Sequence, residues 1–81
     1  MLRGYDLIYV ARIDAPYWIY KFGRSPDANH PAGTIPKGGE VYLQRPPDTL
    51  GTHQSAYLDG VGRIIVRLGD FESTGAFRLS V

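Results

Sequence analysis

Glycine and proline are spread so evenly through this chain that no stretch free of both is longer than the 11 residues of 5–15. Proline breaks a helix and glycine weakens one, so a helix of ordinary length has almost nowhere to form. The segments between these residues are short and rich in β-branched and aromatic side chains, which is how strands read. The expectation is an all-β fold. At 81 residues the chain has room for one domain, 1–81, since splitting it would leave two pieces too small for a core.

Alternation along the segments places the strands. In 5–15, Tyr5, Leu7, Tyr9, Ala11 and Ile13 fall on one face, with Ile8, Val10 and Arg12 on the other. Pro16 interrupts, and 17–22 resumes with Tyr17 and Ile19 on one face and Trp18, Tyr20 and Phe22 on the other. The short connection 14–16 predicts an antiparallel hairpin. Residues 23–39 read as one long irregular loop carrying Pro26, Pro31, Pro36 and several glycines. A third strand at 40–45 points Val41 and Leu43 inward and Tyr42 outward, and Pro46-Pro47 ends it. Asp59-Gly60 predicts a tight type I′ turn joining strands at 54–58 and 62–68. A single 3₁₀ turn at 69–71 and a last strand at 76–81 complete the pattern. Five or six short antiparallel strands in a small barrel account for it.

Composition removes several kinds of chemistry. There is no cysteine, so disulfides, thiolate metal sites and cysteine nucleophiles are excluded. His30 and His53 have no second ligand at metal spacing, and a closed zinc site needs four. No serine sits in a nucleophile elbow and no glycine run resembles a phosphate loop. The aspartates at 14, 27, 48, 59 and 70 fall at turns, where they bond the backbone. No cofactor is expected. A net charge of +1 is too small to imply a phosphate or membrane footprint by itself. The N-terminal residues show no signal-peptide pattern and no segment reaches the length of a membrane span, so the expected location is cytoplasmic. Seven arginines against two lysines lean toward a GC-rich bacterial or phage source.

The second half resembles bacterial SH3-like domains. The likeness runs through 35–43 (Ile-Pro-Lys-Gly-Gly-Glu-Val-Tyr-Leu), 55–60 (Ser-Ala-Tyr-Leu-Asp-Gly) and 62–72, over roughly half the chain. It implies an SH3-like barrel. The tryptophan such domains carry before the hairpin is here replaced by Ser55-Ala56-Tyr57. A second local likeness joins 7–12 and 20–25 to the paired strands of GIY-YIG nucleases. It would make Tyr9 and Tyr20 active-site tyrosines and leave Glu40 or Glu72 for a metal. The helix that site requires has no place in the Pro- and Gly-rich residues after Ser25.

The aromatic residues carry the functional signal. Five of the ten lie in the first 20 residues: Tyr5, Tyr9, Tyr17, Trp18 and Tyr20. Tyrosine and tryptophan suit interfaces because an apolar body bears a polar tip. The candidate binding residues are Trp18, Tyr20, Phe22, Arg24, Tyr42 and Arg45. The reading is a non-catalytic protein-binding module, an adaptor or inhibitor docking to a larger complex through an aromatic face. A small-barrel nucleic-acid-binding protein is the alternative, and a GIY-YIG-like nuclease is a distant third.

Overall fold

The computed structural model describes residues 5–21, 26–44, 49–50 and 53–79. The fold is all-β. Among the described residues eight strands follow in chain order: β1 Tyr5–Ala11, β2 Ala15–Ile19, β3 Gly33–Ile35, β4 Glu40–Gln44, β5 Thr49–Leu50, β6 His53–Leu58, β7 Gly62–Arg67 and β8 Phe71–Leu79. One 3₁₀ turn, Leu68–Asp70, separates β7 from β8. The strands form one antiparallel sheet in the order β3-β2-β7-β6-β4-β1-β8, with β5 paired to β6 beside that path.

One face of the sheet makes the core. Ala11, Ala15, Ile35, Val41, Leu43, Ala56, Ile64, Val66 and Phe71 form a single buried cluster. Among the described residues no helix or second sheet covers them, yet Ala15, Val41, Ile64 and Val66 are fully buried. A flat sheet would leave that face in water, so this one curls around its own side chains. The curl does not close. Among the described residues no pairing joins β3 to β8, and the expected barrel is an open sheet. The core row shows it: Ile64, Ala56 and Leu43 are buried, while its outermost members, Ile19 and Phe77, are 46% and 63% exposed.

Three local expectations are corrected. β1 and β2 do not pair with each other. β1 lies between β4 and β8, and β2 lies between β3 and β7. The connection is a corner, pinned where Arg12 N donates to Asp70 O (2.8 Å) and Lys37 N donates to the Asp14 carboxylate (2.9 Å). Pro16 does not break the second strand but lies within β2, opposite Thr34 of β3. The long loop contains β3, whose Gly33 admits the Tyr17 side chain: a Cβ there would meet its hydroxyl and ring atoms at 2.7–2.9 Å.

The Asp59-Gly60 hairpin forms, but not as a type I′ turn. Leu58 pairs with Gly62, which leaves a three-residue connection. Val61 N donates to Leu58 O at 3.1 Å. Positive φ falls on Gly60 (84°) and Gly62 (109°), so Asp59 keeps an ordinary backbone. The last strand starts earlier than expected, at Phe71, because the chain pairs with β1 directly after the 3₁₀ turn.

Candidate functional site

The outer face of the sheet carries the aromatic and arginine side chains. Alternation on β7 sends Ile64 and Val66 to the core and Arg63, Ile65 and Arg67 to the outside. The register then fixes their neighbours. Arg63 is opposite Tyr57, Ile65 opposite Ser55 and Trp18, and Arg67 opposite His53. Tyr57 is opposite Tyr42, and Tyr42 is opposite Ile8. Tyr20 follows β2, and its backbone N donates to Arg63 O at 3.3 Å. A row therefore crosses the sheet: Tyr20, Arg63, Tyr57, Tyr42, Ile8.

Guanidinium groups lie on these rings. Arg63 sits 4.1 Å from the centre of the Tyr20 ring. Arg78 reaches from β8 across β1 to lie 3.4 Å over Tyr42, and it is 5.9 Å from Tyr57. Arg67 stands 5.5 Å from the Trp18 ring. Carboxylates surround Arg78, with Asp6 at 3.5 Å and Asp59 at 3.8 Å. Asp70 lies 3.6 Å from Arg67. Burial raises the Tyr42 pKa above the ordinary tyrosine value, and the negative charges of Asp59 and Glu40 add to the effect against the opposing pull of Arg78.

The structure sorts the sequence candidates. Tyr20 and Tyr42 belong to the row. Trp18 is on the same face but only 4% exposed. Its indole N–H donates to Asp27 O at 2.7 Å, and the His53 ring meets it edge-on at 5.3 Å. The turn above it is organised by Asp27, whose carboxylate accepts from Asn29 N (3.1 Å) and pairs with His30 Nδ1 (2.7 Å). Those contacts hold the Asp27 carboxyl below its usual range, the His30 hydrogen bond first and the Asn29 backbone second. Trp18 thus floors the face and is not its contact surface. Phe22, Arg24 and Arg45 lie outside the described residues.

Tyr57, Arg63 and Arg78 were not among the candidates. The two-residue turn expected at Asp59-Gly60 would set Tyr57 opposite Gly62, and only the three-residue connection brings it opposite Arg63. Arg78 acts from two strands away, where no local pattern shows it.

The nuclease residues do not assemble. Tyr9 packs against the core, whereas Tyr20 stacks with Arg63 on the opposite face. Among the described residues no group of three or more His, Asp or Glu could hold a metal, and no helix is long and apolar enough to cross a membrane. No family model, curated protein or solved structure matches the chain.

Proposed function

We propose that the chain is a non-catalytic module that docks to another protein through the outer face of its sheet. The observation that carries this reading is the cross-strand row of Tyr20, Arg63, Tyr57 and Tyr42, with Arg78 laid over it. Tyrosine and arginine on a rigid scaffold are what protein hot spots are made of. Tyr57 is 46% exposed near the middle of the row, where a partner would bury it.

Two features favour a protein over a nucleic acid. Single strands bind by stacking bases on open aromatic faces. Here guanidinium groups already occupy a face of Tyr20 and of Tyr42. Phosphate binding also needs uncompensated positive charge. Arg67 and Arg78 already have carboxylates within 4 Å. The likeness to SH3-like domains belongs to the same proposal and rests on motif order.

The test is affinity capture on immobilised protein from a nuclease-treated lysate of the source cells, beside the variant Tyr57→Ala. A protein captured by the wild type and lost with Tyr57→Ala supports the reading. Capture that disappears on nuclease treatment, together with a salt-dependent gel shift, replaces it with nucleic-acid binding.

A further inference from the structure

Trp18 is withdrawn from the docking row, yet it floors a cavity beside it. The cavity has a volume of about 480 Å³ and lies at the end of β2. Small-molecule sites typically measure roughly 300–1,000 Å³. Its floor is the buried cross-strand pair Trp18 and Ile65. Ile19 and Pro26 add apolar wall, and Ile19 is half-exposed. The rest of the wall is the chain around the turn at 27–30, which is pinned to β2 at two points. The Trp18 indole donates to Asp27 O (2.7 Å), and Ala32 N donates to Tyr17 O (2.8 Å). The cavity is therefore built before any ligand arrives.

Its polar groups are not equivalent. Both oxygens of the Asp27 carboxylate are engaged, Oδ1 by Asn29 N and Oδ2 by His30 Nδ1. Lys21 also lines the cavity, and its ammonium has no partner among the described residues. We propose that this cavity binds a small planar carboxylic acid, its rings against Trp18 and Ile19 and its carboxylate on Lys21. The proposal does not depend on the docking reading, since none of these residues belongs to the tyrosine–arginine row. A flat apolar body would cover the Ile19 surface that water now touches. The ammonium then supplies a charge-assisted hydrogen bond that orients the acid. A phosphate would need further donors, and the nearby Asp27 carboxylate opposes a second negative charge.

The probe is naphthoate, titrated into ¹⁵N-labelled full-length protein and followed by NMR at low salt. Saturable shifts are expected at the Trp18 indole N–H and at the amides of Ile65, His30 and Ala32, and not at Tyr42 or Tyr57. Naphthylmethanol should bind more weakly, and naphthylmethylamine more weakly still. Lys21→Gln, with its spectrum otherwise native, should bind naphthoate about threefold more weakly and naphthylmethanol as the wild type does. Ile19→Ser should weaken both. An indole N–H that does not shift saturably would overturn the proposal. So would naphthylmethylamine binding as tightly as naphthoate, or Lys21→Gln binding naphthoate as the wild type does.

Discussion

Asp27 uses its backbone and its side chain for two different tasks. Its carbonyl holds the Trp18 indole, and its carboxylate holds His30 and Asn29. Because the folded pKa is depressed, the contribution to stability is complete above the unfolded aspartate value near 3.9. It is lost as pH falls through the lower folded value. Acid titration should therefore change the Trp18 fluorescence in that window before global unfolding, and His30→Ala should bring the Asp27 pKa back up by NMR. Titration at an ordinary aspartate pKa in the wild type would contradict the contact. Trp18 itself is a stability residue. Trp18→Ala should cost roughly 3–5 kcal/mol and unfold most of so small a protein, as thermal melting would reveal. A near-normal melt would mean the ring is not packed as described. Gly60→Val tests the turn alone, since a Cβ there meets nothing within 4 Å. The change should destabilise by more than about 1 kcal/mol through the positive φ, read in a urea melt.

At the scale of elements, β8 shows how an edge is guarded. Between its pairings with Leu7 and Tyr9, the three residues 74–76 face the single residue Ile8. Gly75 takes φ 78°, the Ser73 hydroxyl accepts from Gly75 N, and the Thr74 hydroxyl donates to Ile8 O and accepts from Ala76 N. Such a bulge bends the edge away from strand addition. Thr74→Val should cost about 1 kcal/mol and make the protein more prone to associate, measured by melting and light scattering. A variant with unchanged stability would mean that the hydroxyl contacts add nothing.

The bulge marks where the sequence stopped being legible. Val41 and Leu43 were readable as core because strict alternation fixes a strand's faces. The pairing partners of β1 were not readable, because a three-residue corner and a hairpin loop look alike when only length is known. β3 was missed because Gly33 and Pro36 bracket only two other residues, and its pairing comes entirely from β2. For the site, Tyr20 and Tyr42 came from aromatic content. Burial of Trp18 depends on a turn at 27–30 that no pattern in the strand itself announces.

The whole molecule separates its two faces by chemistry. The concave face is apolar and largely buried, and the outer face carries tyrosine and arginine with carboxylates beside them. Folding and docking should therefore respond to different mutations. Tyr42 couples them modestly. With its pKa raised, the neutral phenol stabilises the fold below the ordinary tyrosine value near 10, and that contribution is lost as pH rises through the higher folded value. An ultraviolet titration should show a tyrosine ionising later than the rest. The central claim is that the tyrosine–arginine row binds a protein without being needed for folding. Isothermal titration of the captured partner against wild type and Tyr57→Ala, with melting curves for both, tests it most directly. The account predicts nearly equal melting temperatures and binding weakened by about 2 kcal/mol, close to thirtyfold. Equal affinities for the two proteins would contradict it.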